Sequence, residues 1–99
     1  MREKVFITQD TGHNIESARQ YGELKVLLSF KDVASGTKSM IDLLYKRLKD
    51  VSPEDYILCV GDPIAIGLAV HIAMKYTQGK INFLKWDRVR MVYTVTKTV

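Results

Sequence analysis

Three aspartates follow runs that read as β-strands: Asp10 after KVFITQ, Asp32 after LKVLLSF and Asp62 after YILCVG. If those strands are parallel, the three carboxylates share the carboxyl rim of the sheet, where open α/β folds bind ligands, and His13 lies in the adjoining connection. Carboxylates and an imidazole in one place could hold a hard divalent ion and support metal-assisted phosphoryl transfer. The competing reading is that aspartate is simply a good turn and cap residue. That reading is the stronger one; separately, nothing has the spacing of a zinc site, and one cysteine with two histidines excludes the ordinary structural zinc sets.

Other catalytic constellations are weaker still. Gly61-Asp62 before a helix resembles a phosphate-binding turn, since free amides favour an anion there. Asp62 would place its own carboxylate on those amides, and no further glycines and no Lys-Ser/Thr pair follow. Cys59 falls inside an apolar run and is expected to be a buried, poorly reactive thiol, in keeping with a reducing compartment. There is no Gly-x-Ser-x-Gly elbow. His71 reads as a solvent-facing or helix-contact residue before it reads as a general base. The expectation is a protein that is not an enzyme and needs no cofactor.

Charge is more informative. Residues 1–79 are balanced, whereas 80–99 carry Lys80, Lys85, Arg88, Arg90 and Lys97 against Asp87 alone, so the whole surplus of +4 lies in the last segment. Interleaved with Trp86 and Tyr93, these cations combine phosphate neutralisation with flat surfaces on which bases can stack. The bland alternative is that lysine and arginine protect an edge strand while Trp86 covers the core.

The elements that position these residues follow from periodicity. At 99 residues, 46% hydrophobic and 26% charged, the chain reads as a single soluble domain over 1–99. No apolar run approaches the roughly 20 residues of a membrane crossing. The opening MREKVFITQ turns polar too soon for a signal peptide, so a cytoplasmic location is expected. Tyr56–Val60 is a continuous apolar run that predicts a strand buried on both faces. A helix follows at once, with Asp62 as cap, Pro63 at its first position and Gly79 at its exit.

From Pro63 to Tyr76 every residue except Pro63, Gly67, His71 and Lys75 is apolar, leaving one narrow stripe for water. Gly67, His71, Lys75 and Gln78 on that stripe suit close approach of a second copy, so a homo-oligomer is expected. Earlier in the chain, Lys4–Gln9 predicts an interior strand. Residues 10–23 form a long connection in which Ile15, Ala18 and Tyr21 allow a helical turn, and Leu24–Phe30 predicts a second strand parallel to the first. Residues 31–36 read as a loop. A helix capped by Thr37 or Ser35 then runs to about Asp50 with Met40, Ile41, Leu44 and Leu48 inward. Lys80–Trp86 and Met91–Thr98 form a C-terminal β-hairpin around a four-residue loop, the second run an edge strand. The sum is an α/β fold: a mixed sheet of about five strands with two or three helices.

The segments VGDPIAIGLAVHIA and INFLKWDR, with QYGELKVLL before them, resemble small uncharacterised open reading frames that recur in bacteriophage genomes. The resemblance implies a viral accessory protein working in the host cytoplasm and supplies no activity, cofactor or catalytic residue. The leading functional expectation is nucleic-acid binding, single-stranded because aromatics need unstacked bases, through Lys80, Lys85, Trp86, Arg88, Arg90, Tyr93 and Lys97. The alternative is a protein-interaction module or inhibitor of a host factor that adds a strand to the edge at 91–98.

Overall fold

A computed structural model describes residues 2–98. Its elements are β1 (Lys4–Ile7), a 3-10 turn (Glu16–Gln20), β2 (Glu23–Val26), α1 (Phe30–Ala34), α2 (Thr37–Arg47), β3 (Tyr56–Leu58), α3 (Pro63–Thr77), β4 (Asn82–Asp87) and β5 (Val92–Lys97). The strands make one mixed sheet in the order β2-β1-β3-β4-β5. The first four are parallel, and β5 returns antiparallel to β4 as the C-terminal hairpin. The parallel pairing of β1 with β2 and the small α/β architecture are as the sequence predicts.

Alternating side chains divide between two cores. On one face Phe6 and Ile57 pack beneath α2 and α3 through Leu44, Leu48, Ala69, Ile72 and Ala73. On the other, Val5, Ile7, Leu58, Leu84 and Tyr93 are covered by Ala18 of the 3-10 turn with Ile15 and Tyr21. This is the helical turn that the spacing of those three residues suggests. Tyr21 Oη also donates to the Tyr93 carbonyl at 3.2 Å, tying the long connection to the distal hairpin. Gly22 is required where β2 enters the sheet, because any Cβ there would collide with the Glu3 carbonyl.

Several boundaries differ from the sequence reading. The expected strand over 24–30 is assigned only to Glu23–Val26. At Ser29 a capping box takes over: Ser29 Oγ accepts from Asp32 N, Asp32 Oδ2 accepts from Ser29 N, and Phe30 begins α1 in what the sequence suggested was a loop. Neither Ser35 nor Thr37 caps α2; Gly36 holds that position at φ 105° with no side-chain bond, and the helix stops at Arg47 rather than near Asp50. The strand expected to reach Val60 closes at Leu58, leaving Cys59 and Val60 half-buried instead of buried on both faces. The exit of α3 is made by Gln78 in the left-handed region, followed by Gly79.

Candidate functional site

The site begins where β3 stops short. β3 ends at Leu58 opposite Leu84, while β4 continues through Lys85, Trp86 and Asp87 paired with Thr94, Tyr93 and Val92. The hairpin therefore projects past its parallel neighbour. An open groove of about 950 Å³ lies between this projection and the connection at 11–15, lined among others by His13, Cys59, Gly61, Lys85, Trp86 and Arg88. Lys85 and Trp86 are consecutive and point to opposite faces of the ribbon. Both reach the groove because it passes over the end of β3.

The tip of the hairpin is shaped by Asp87. Its Oδ1 accepts from Val89 N at 2.9 Å and Arg90 N at 3.1 Å, and its Oδ2 accepts from Arg90 Nε at 3.1 Å. The bond from the Arg90 amide, aided by that from Val89 and by the charges of Arg90 and Lys85, lowers the Asp87 pKa despite partial desolvation. Met91 at φ 58° then closes the four-residue loop Arg88–Met91, one position later than the loop read from the sequence. Trp86 is 38% exposed and stands edge-to-face on Tyr93, with ring centroids 4.9 Å apart at 68°. Tyr93 is only 8% exposed and its phenol pKa is raised by burial.

The ribbon's cations are thus not equivalent. Lys85 and Arg88 stand at the groove and have no salt-bridge partner among the described residues. Arg90 is paired with Asp87. Lys97 lies opposite Asn82 at the far end of the ladder, with Lys80 just beyond it, about 16 Å from the tip at 3.3 Å per residue. Tyr93 supports Trp86 and offers no free face. The residues the structure brings together are Lys85, Trp86 and Arg88; those it separates from them are Lys80 and Lys97.

The carboxylates at the rim each serve the backbone. Asp10 accepts from Gly12 N at 3.0 Å. Asp62 accepts from Ile64 N at 2.9 Å and Ala65 N at 3.1 Å, as expected of a cap. Asp32 accepts from Ser29 N and from Arg47 Nη1 at 2.8 Å, the backbone bond first and the guanidinium second lowering its pKa. Among the described residues no group of three or more His, Cys, Asp or Glu side chains could hold a metal ion. Gln9 Oε1 accepts from Asp62 N at 2.8 Å, so the Gly61-Asp62 turn is closed from within the chain. The Cys59 thiol is half-buried and its pKa is raised by desolvation, which disfavours the thiolate.

With this geometry in view, a family model described as phage Pam3 gp32-like protein matches residues 3–98. The chain belongs to that family. No curated protein and no solved structure matches it. Membership agrees with the bacteriophage resemblance of its segments, and no helix described here is long and apolar enough to cross a membrane.

The stripe on α3 does face outward: Gly67, His71, Lys75 and Gln78 are all exposed. Lys75 Nζ, however, turns inward along the surface to donate to Tyr45 Oη at 2.7 Å. A Cβ on Gly67 would meet nothing within 4 Å, so nothing inside the chain requires glycine there. Sequence reasoning missed an exposed aromatic beside the groove. Phe30, expected at the end of a strand, projects from α1 at 78% exposure and lines a second groove with Gln9, Thr11, Val33 and Gly61. The pattern Ser29-x-x-Asp32 was the available signal for that helix start.

Proposed function

We propose that this phage protein is a non-enzymatic accessory factor that binds single-stranded nucleic acid at the mouth of the groove, in the cytoplasm of the host. The observation that carries the reading is the Trp86 indole, 38% exposed and packed at a steep angle on Tyr93, in a groove that Lys85 and Arg88 also line. An exposed ring offers a stacking face to any unpaired base, and two cations beside it offer a salt-sensitive grip on the flanking phosphates. Lys80, Lys97 and Arg90 are at most peripheral in this arrangement, because the first two stand at the other end of the ladder and the third is engaged by Asp87.

The test is the slope of affinity against salt. Each phosphate neutralised contributes about 0.7 to the log–log slope for a single strand. Lys85→Gln with Arg88→Gln should therefore flatten the slope by about 1.4, whereas Lys80→Gln with Lys97→Gln should leave it unchanged. Equal effects from both pairs would remove the groove from the binding site.

A second reading, strand addition by a host protein, is favoured by the outer edge of β5. Thr98 N donates to the Ile81 carbonyl. Alternation along an antiparallel ladder then directs the backbone groups of Val95 and Lys97 away from β4, whereas the Tyr93 carbonyl is taken by Tyr21 Oη. Val95→Pro removes an outward N–H while sparing the hairpin, which a proline at Thr94 would break. Binding that survives high salt and is lost in Val95→Pro would decide for this reading.

A further inference from the structure

The two grooves share the lining residues Thr11 and Gly61 and so lie side by side at the carboxyl ends of the strands. Phe30, which directly follows the β2 side of the sheet, stands at one end, and Trp86 of β4 stands at the other. Resting on the nucleic-acid reading above, we infer that the grooves form one trough for consecutive bases of a single strand, with Phe30 as the second stacking platform.

Three properties carry this. β2 and β4 are three strand spacings apart, about 14 Å, which holds at most about four nucleotides at the 3.4 Å rise of a stacked strand. Phe30 is exposed without any demand from the fold: α1 is started by the Ser29–Asp32 box, and no member of the helix-side core depends on the ring. Charge is arranged to orient the strand. Lys31 follows Phe30 in the chain and Lys85 and Arg88 line the Trp86 groove, while Asp62 lines the Phe30 groove beside the shared Gly61. The carboxylates nearest each aromatic, Asp32 and Asp87, are paired with Arg47 and Arg90, so phosphates are drawn toward Lys31, Lys85 and Arg88 and disfavoured beside Asp62.

The experiment is fluorescence anisotropy of a labelled oligo-dT of about eight nucleotides, long enough to cross the trough, with the full chain at low salt. Trp86→Ala and Phe30→Ala should each weaken binding by about 5- to 150-fold, the effect of losing one base–aromatic stack. A loss in Trp86→Ala with Phe30→Ala within twofold of the parent would overturn the trough and leave the nucleic-acid reading standing. No binding by the parent protein would sink that reading itself. Because the chain has one tryptophan, Phe30→Trp combined with Trp86→Phe places a single reporter at the inferred platform. Its emission should be quenched as oligo-dT binds; unchanged emission alongside a normal anisotropy rise would overturn the inference independently of any loss of fold.

Discussion

The two ends of the sheet are built by opposite rules. At the amino end, buried or half-buried polar side chains tie neighbouring segments together. Asp55, 3% exposed, accepts from Lys4 N at 2.8 Å and Ser52 N at 2.9 Å and pairs with Lys4 Nζ at 3.4 Å. Asn82 Nδ2 donates to the Pro53 and Asp55 carbonyls, and Thr98 Oγ1 donates to the Gly79 carbonyl while accepting from Ile81 N. At the carboxyl end, Phe30, Ile64, Trp86, Val89 and Met91 are left exposed. The exposed part of an apolar side chain adds no burial to the free protein, and several such groups gathered at one end are the usual mark of an interaction surface. The difference teaches that the amino end is tied together by the chain's own polar groups, while the carboxyl end leaves large apolar side chains in water.

The largest expected effect lies at the closed end. Asp55→Ala orphans two backbone donors and Lys4, and should cost about 3 kcal/mol in urea unfolding without changing the midpoint of oligo-dT binding of the protein that remains folded. A small stability loss would mean that water replaces the carboxylate, and the contrast between the ends would soften. At the open end, Ser29→Ala removes one half of the capping box and should cost about 1 kcal/mol. If α1 holds Phe30 in place for binding, the same variant should also weaken oligo-dT affinity.

Acid sensitivity sharpens the comparison further. The pKa of Asp32 is lowered by the Ser29 amide and then by Arg47, so its contribution is complete at pH above the ordinary carboxylate value. It is lost as pH falls through the lower folded value. Asp32→Asn should flatten this part of the acid limb in a pH series of unfolding midpoints. The smallest effect belongs to neither end: Gly67→Ala on the outer face of α3 should stabilise by about 0.5–1 kcal/mol, because a methyl there meets only open space. Stabilisation without a change in mass by light scattering would count against self-association through Gly67, His71, Lys75 and Gln78.

Local signals were legible where a few neighbouring residues decide the outcome. Asp62-Pro63 after an apolar run announced the β3-to-α3 junction, because cap and fixed φ act within one turn. The spacing of Ile15, Ala18 and Tyr21 announced the 3-10 turn for a similar reason. The reading failed at Leu24–Phe30, where a mostly apolar run concealed a strand passing into a helix. Only the reciprocal Ser29–Asp32 bonds separate the two.

The amino-acid order by itself determined that this is an α/β chain ending in a cationic, aromatic hairpin, since hydrophobic period, caps and charge are properties of short segments. It could not determine which of those cations meet. That depended on β3 being shorter than β4 and on an antiparallel register that sends Lys80 and Lys97 to one end and Lys85 and Arg88 to the other. Nor could it show that Phe30, 56 positions before Trp86 in the chain, stands on the same rim. Strand order brings them there, and strand order is set by how the whole sheet buries its two faces, which no single segment encodes.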